Sequence, residues 1–152
     1  MSSGAKVERC LVLGARGFIG AHVTDALLRL GIVVRCFDRS GPSPSARPVS
    51  GGSMEFIQGD FTNAVDLERA VDGCTSCVHL VSTTLPKSSN LAPAYDVESN
   101  LVGTIRLLEL AVRRGMRKVV FVSSGGTVYG IPRSIPIVET DPTEPISSYG
   151  IT

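Results

Sequence analysis

Three glycines set three residues apart, Gly14, Gly17 and Gly20, stand between a short apolar run, Arg9–Leu13, and a helical pattern. Val23, Ala26, Leu27 and Leu30 carry that pattern to Gly31, which ends it. A strand that turns through glycines straight into a helix is the opening unit of a dinucleotide-binding α/β domain. Gly14 permits the tight turn, Gly17 lets the backbone approach a diphosphate, and Gly20 allows helix and strand to pack closely. The unpaired N–H groups of the first helical turn, together with the helix dipole, favour a bound anion there. Phe18 and Ile19 fall inside the same turn.

The alternation of strand and helix continues along the chain. Ile32–Phe37 reads as a second strand and Met54–Gln58 as a third. Between them, Arg39–Ser53 holds Pro42, Pro44, Pro48, Gly41, Gly51 and Gly52 and is expected to be a mobile loop. Asn63 is placed to cap a short helix through Leu67, Ala70 and Val71 that ends near Gly73. Cys77–Val81 is the fourth strand. Pro93 opens a longer helix, in which Leu101, Ile105, Leu108 and Val112 keep helical spacing as far as Gly115. Val119–Val122 is the fifth strand, and the chain from Ser123 onward is loop-rich, with Pro132, Pro136, Pro142 and Pro145. Strands that are apolar throughout and alternate with helices form a parallel sheet covered on both faces. The expected fold is therefore α/β, a doubly wound parallel sheet of Rossmann type, with residues 1–152 as one dinucleotide-binding domain.

Asp38 ends the second strand, 18 residues after Gly20. A carboxylate at this point accepts hydrogen bonds from the ribose hydroxyls and repels a 2′-phosphate, which favours NAD over NADP. Arg39, the next residue, argues the other way, because a guanidinium pairs well with that phosphate.

Composition narrows the remaining classes. Of the 152 residues, 43% are hydrophobic and 19% charged, as in an ordinary folded domain. A net charge of +1 gives no electrostatic case for nucleic acid as a partner. No apolar run approaches the length of about 18 residues that spans a bilayer, so no membrane partner is expected either. The apolar stretch near the N-terminus is broken by Arg16 and makes a poor signal peptide, so the expected location is the cytoplasm. Cys10 and Cys36 sit in apolar runs and read as buried hydrophobes. Cys74 and Cys77 form a single C-x-x-C pair without a second pair or a histidine cluster, so no metal site is expected.

The glycine spacing G-x-x-G-x-x-G resembles that of the extended short-chain dehydrogenase/reductase family, the NAD-dependent nucleotide-sugar epimerases and dehydratases. Further segments are similar to the family's. Gly59-Asp60-Phe61 resembles its motif after the third strand, whose Asp approaches adenine. His79-Leu80-Val81-Ser82 resembles the fourth-strand segment that passes along the cofactor. Asn100, before Val102-Gly103-Thr104, resembles the helix asparagine that braces the active-site strand. The run Phe121–Gly130, then Pro132, Pro136, Glu139, Pro142, Pro145 and Ser148-Tyr149-Gly150, is most like the UDP-glucose 4-epimerases.

The resemblance implies hydride transfer at a sugar carbon, with NAD as cofactor and a nucleotide sugar as substrate. It implies that Tyr149 is the general base, with Ser124 or Thr127 supplying the hydroxyl beside it and Ser123 touching the cofactor. In an epimerase the hydride returns to the opposite face of a 4-keto intermediate. The chain departs from the pattern at three points. The lysine of the family's Y-x-x-x-K would fall at position 153, one past Thr152. Gly125 stands where epimerases usually carry the catalytic hydroxyl, and Thr84 where 4-epimerases often carry a lysine. The family's substrate region lies beyond the segment matched here, so the domain is expected to be truncated before the substrate domain, with no turnover as it stands. The resemblance also implies a homodimer for a full-length enzyme, through the helix around Ala94–Arg114. Dehydratase, decarboxylase and sterol-type dehydrogenase chemistries stay open, as does a dinucleotide-holding module without turnover. The Asp-Glu pair usual in dehydratases is replaced here by Gly125-Gly126, which ranks dehydratase below epimerase.

Overall fold

The computed structural model describes residues 8–42 and 52–152. In chain order the elements are β1 (Arg9–Leu13), α1 (Phe18–Arg29), β2 (Val33–Asp38), β3 (Met54–Gln58), α2 (Ala64–Val71) and β4 (Ser76–His79). They continue with α3 (Pro86–Leu91), α4 (Pro93–Asp96), a π-helical stretch (Val97–Val102), α5 (Gly103–Arg113), β5 (Lys118–Phe121), α6 (Gly125–Val128) and α7 (Ser148–Ile151). The chain divides into two compact units. The first contains the residues up to Val81 together with Arg106–Phe121, and the second contains Ser82–Ile105 and Val122–Thr152.

The first unit is a five-stranded sheet in the order β3-β2-β1-β4-β5, with every neighbouring pair parallel. β1 is central, and Leu11, Val12 and Leu13 have no exposed surface. Two apolar clusters fill the space under the helices. Leu11, Leu13 and Phe37 pack with Leu67, Val71, Leu107 and Leu110 in one, and Val12, Val34 and Cys36 pack with Leu28 in the other. Residues of one strand thus divide between the two clusters, as the pleat requires of a sheet covered on both sides. The doubly wound parallel sheet read from the sequence is the fold observed.

Local signals placed most elements to within two residues. Asn63 caps α2 as expected, its side chain accepting from the N–H groups of Val65 and Asp66. Gly31, Gly73 and Gly115 all follow helices with positive φ, the left-handed stop that glycine takes without steric cost. Most of the proline-rich loop expected over Arg39–Ser53 lies outside the described residues.

Three differences carry information. A helix at α3 was not expected; it uses Pro86 in its first turn, and Ser88 Oγ accepts from the N–H of Leu85 at 2.9 Å. The helix expected from Pro93 widens into a π-helical stretch before α5 resumes. The apolar spacing that marked this helix is largely its outer face. Leu101, Ile105, Leu108 and Val112 are exposed, while Leu107, Leu110 and Ala111 are buried. Both faces of the helix are apolar, so periodicity located the helix without deciding which face enters the core.

Candidate functional site

In the first unit the expected cofactor residues gather at the carboxyl ends of β1, β2 and β4. This is the end of an open parallel sheet where ligands bind, at the point where strand order reverses on either side of β1. Gly14 turns the chain with φ of +80°, and its N–H donates to the Phe37 carbonyl at 2.9 Å. A Cβ on Gly14 would lie 3.2 Å from the Leu80 carbonyl carbon, so the turn passes directly over the end of β4. Leu80 N–H in turn donates to the Leu13 carbonyl at 3.1 Å.

Gly20 is more tightly constrained: a Cβ there would stand 2.1 Å from the Gly14 carbonyl oxygen. The glycine turn and α1 are therefore in backbone contact, which only glycine allows. Gly17 is the extended residue before α1, and no side chain caps the helix. No acidic residue occupies the first turn, and Phe18 and Ile19 are exposed there. This helix start presents backbone donors and a positive dipole end without a competing carboxylate, which fits a diphosphate.

Asp38 sits at the tip of β2. Its Oδ2 accepts from the Arg16 N–H and its Oδ1 from the Ser40 N–H, each at 3.0 Å. Each oxygen keeps a second lone pair for a ribose hydroxyl. Arg39 is exposed beside it, with its carbonyl accepting from Gln58 Nε2 at 3.0 Å. Asp60 follows β3, and its Oδ1 accepts from the N–H and the hydroxyl of Thr62 at 2.8 and 2.7 Å. Those bonds hold its carboxyl below the ordinary carboxylate range. The glycine turn, Asp38 and the end of β4 thus fit the adenosine and diphosphate parts of NAD.

Phe61 is buried, with its ring 4.8 Å from that of His79, and Phe121 packs on the same imidazole at 5.4 Å. Burial lowers the His79 pKa to about 4, so the ring is neutral at physiological pH. Its Nδ1 accepts from the Val81 N–H at 3.3 Å. This is a packing histidine that shapes the end of β4. The C-x-x-C pair is also part of the core: Cys74 and Cys77 are free, buried thiols in the larger cluster. Burial pushes Cys74 up to about 11 and raises Cys77 as well.

In the second unit the three candidate catalytic residues lie on, or directly before, two one-turn helices in contact. Ser124 precedes α6 in extended conformation and Thr127 lies within α6, while Tyr149 lies in α7. A Cβ on Gly150 would stand 2.7 Å from the Thr127 carbonyl oxygen, so the two helices meet at backbone distance. The Thr127 hydroxyl donates to the Ser124 carbonyl at 3.2 Å. Ser123 is exposed and Tyr149 is partly buried. Ser82, also exposed, donates its hydroxyl to the Thr84 carbonyl at 3.0 Å. Asn100 braces the Thr83–Thr84 segment. Its Oδ1 accepts from the Thr83 N–H at 2.9 Å, and its Nδ2 donates to Thr84 Oγ1 at 3.1 Å.

Two residues of this unit escaped the sequence reading. Asp96 has no exposed surface, and its carboxylate accepts from Thr84, Asn100, Ser148 and Thr152. Burial acts to raise its pKa, but these hydrogen bonds outweigh that effect and hold the carboxyl below its ordinary range. Ser89, equally buried, accepts from the Tyr149 N–H at 3.1 Å. Neither belongs to a motif. Asn100 is four residues from Asp96, but Ser148 and Thr152 stand 52 and 56 residues from it and Tyr149 stands 60 from Ser89, so local pattern carried no signal for those contacts.

Comparison with known proteins places this geometry among relatives. The profile of the NAD dependent epimerase/dehydratase family matches residues 10–152. The UDP-glucose 4-epimerase of Mycolicibacterium smegmatis is 39% identical over 146 residues, covering 93% of this chain and 46% of that protein. The UDP-glucose 4-epimerase of Azospirillum brasilense is 34% identical over 148 residues, covering 96% of this chain and 42% of its own length. The crystal structure of Thermus thermophilus UDP-glucose 4-epimerase in complex with NAD superposes with a TM-score of 0.79 at 33% identity, over 94% of this chain and 46% of that one. The chain thus spans less than half the length of the curated relatives it matches.

Proposed function

The chain belongs to the NAD-dependent epimerase/dehydratase family, and we propose that residues 1–152 are the NAD-binding domain of an enzyme that epimerises a UDP-sugar through a 4-keto intermediate. The observation that carries this reading is the closed glycine turn with Asp38 bonded to it through the Arg16 N–H. The backbone donors at the start of α1 bind the diphosphate, and Asp38 orients the ribose. In the first unit Asp60 and Phe61, after β3, border the adenine side, and Leu80 and Val81 follow the cofactor at the end of β4. Ser82, Asn100 and Ser123 are the cofactor contacts proposed in the second unit. NAD, when bound, supplies the acceptor for a hydride from the sugar and the donor that returns it.

The protein's part is proton transfer and position. Tyr149 takes the proton of the sugar hydroxyl as that carbon becomes a ketone, and gives it back when the carbon is reduced from its other face. A hydroxyl beside it steadies the oxygen that gains and loses charge. Ser124 suits this role better than Thr127. The Thr127 hydroxyl is already committed to the Ser124 carbonyl, whereas no hydrogen bond to a described residue engages the Ser124 hydroxyl. Gly125-Gly126 in place of an acidic pair favours epimerisation over dehydration. The apolar stripe Leu101, Ile105, Leu108 and Val112, exposed along the long helix, supports a homodimeric enzyme. Among the described residues no helix is long and apolar enough to cross a membrane, and the proposed location is the cytoplasm.

Calorimetric titration with NAD, and with NADP as comparator, tests the reading. Tight NAD binding with weak NADP binding is expected. Absence of NAD binding overturns it. NAD binding without UDP-sugar turnover in an enzyme carrying the complete Y-x-x-x-K motif leaves a dinucleotide-holding module.

A further inference from the structure

From the hydrogen bonds of its buried carboxylate, we infer that Asp96 is the positioning residue for Tyr149, fastening the one-turn helix that carries the tyrosine to the helix pair α3–α4. The inference rests on Tyr149 being the proton-transferring residue proposed above.

A four-residue helix such as α7 has no stability of its own, because nucleation costs more than its few hydrogen bonds return. What holds α7 must come from outside it. Asp96 Oδ2 accepts from the hydroxyls of Ser148 and Thr152, at 2.7 and 2.9 Å. These residues bracket Tyr149 on either side. Asp96 Oδ1 accepts from the Thr84 hydroxyl and from Asn100 Nδ2, the latter at 2.8 Å. A carboxylate offers about four lone-pair sites, and all four are filled by these donors.

The orphan N–H groups at the start of α7 are satisfied from the same side. Ser148 N–H donates to Asn90 Oδ1 at 2.9 Å, and Tyr149 N–H donates to the buried Ser89 Oγ at 3.1 Å. The backbone and both flanks of Tyr149 are thus fixed to α3 and α4, and its ring is the part of the helix left to act. Hydrogen bonds to a fully buried carboxylate are among the stronger ones in a protein, since loss of either partner strands a desolvated group.

The test uses this chain with Cζ-labelled tyrosine, in wild type and in Asp96→Ala, followed by amide exchange and by NMR of the ring carbons. Tyr149→Phe assigns the Tyr149 signal against those of Tyr95 and Tyr129. NAD is added to saturation, judged from the Gly17 and Gly20 amides. In Asp96→Ala the amides of residues 148–152 are expected to exchange about tenfold faster or more, with those of β1 and β4 unchanged. The NAD-induced displacement of the Tyr149 ring signal, present in wild type, is expected to vanish. Should Asp96→Ala fail to fold, Ser148→Ala/Thr152→Val removes only the two donors of α7 and is read the same way. A variant whose exchange and ring signal match wild type overturns the inference. If wild-type Tyr149 ignores NAD while Gly17 and Gly20 respond, the catalytic reading of Tyr149 fails and its positioning residue with it. If exchange alone changes and the ring response persists, Asp96 is structural and the inference is again overturned.

Discussion

Arg16 donates its backbone N–H to Asp38 Oδ2 at 3.0 Å, joining the glycine turn after β1 to the tip of β2. The bond sets the carboxylate before any ligand arrives, so little ordering remains to be done on binding.

Asp38→Asn is therefore expected to weaken NAD binding about tenfold, the loss that accompanies replacing an ionised hydrogen-bond acceptor by a neutral one. It should also narrow the preference over NADP, because the repulsion of a 2′-phosphate disappears while Arg39 remains. Calorimetry with both dinucleotides reads the two effects together.

Gly20 and Gly31 predict opposite kinds of damage. At Gly20 an alanine Cβ would fall 2.1 Å from the Gly14 carbonyl oxygen, so the turn or the helix must move. Gly20→Ala should abolish NAD binding, and it should lower stability by about 2 kcal/mol or more through overpacking. At Gly31 nothing lies within 4 Å, and only the positive φ of +74° resists a side chain. Gly31→Ala should cost about 1 kcal/mol and leave the affinity for NAD as it is. Urea unfolding and calorimetry on both variants separate the two.

The stability of the domain should depend on pH through His79. Its pKa falls from 6.5 in a free chain to about 4 in the fold, because burial disfavours the cation. The unfolded chain thus binds the extra proton between these values, and stability drops as pH falls from about 6.5 to 4, by about 3 kcal/mol in all. Asp60 and Asp96, held below the ordinary carboxylate range, lose their contributions at lower pH and leave this window to the histidine. In His79→Phe, urea midpoints measured between pH 7 and pH 4.5 should lose most of this slope; an unchanged slope would assign it to another group.

Arg35 is a buried charge in the middle of β2. Its guanidinium donates to the carbonyls of Arg69 and Ala70 at the end of α2, at 3.1 and 2.8 Å, and to Glu55 at 2.7 Å. One planar fork thus closes the negative end of a helix and pairs with the neighbouring strand. Arg35→Met preserves the volume but strands those carbonyls, and should cost about 2–3 kcal/mol in urea unfolding. Arg35→Lys should recover only part of that, since an ammonium cannot span the same partners.

The difference between what was legible and what was not follows distance along the chain. The five strands, α1, α2 and the long helix were readable because period, caps and stop glycines act over a few residues. Asn63 before Ala64–Val71 and Gly115 after α5 behave as their residue types dictate. The inward face of α5 was not readable, since Leu107 and Leu108 are equally apolar and only docking on the sheet separates them. The helix α3 lacked any apolar period to announce it.

The sequence by itself determined the order of strands and helices, the parallel sheet they must form, the glycine turn and the acidic residue that follows β2. These depend on backbone sterics and on local alternation of apolar and polar residues, which each short segment carries within itself. Tertiary structure alone decided that His79 would lie between Phe61 and Phe121, and that Asp96 would gather Ser148 and Thr152. The last two partners stand 52 and 56 residues from Asp96. A buried carboxylate is fixed by whichever donors the folded chain brings within reach, and no local pattern names them in advance.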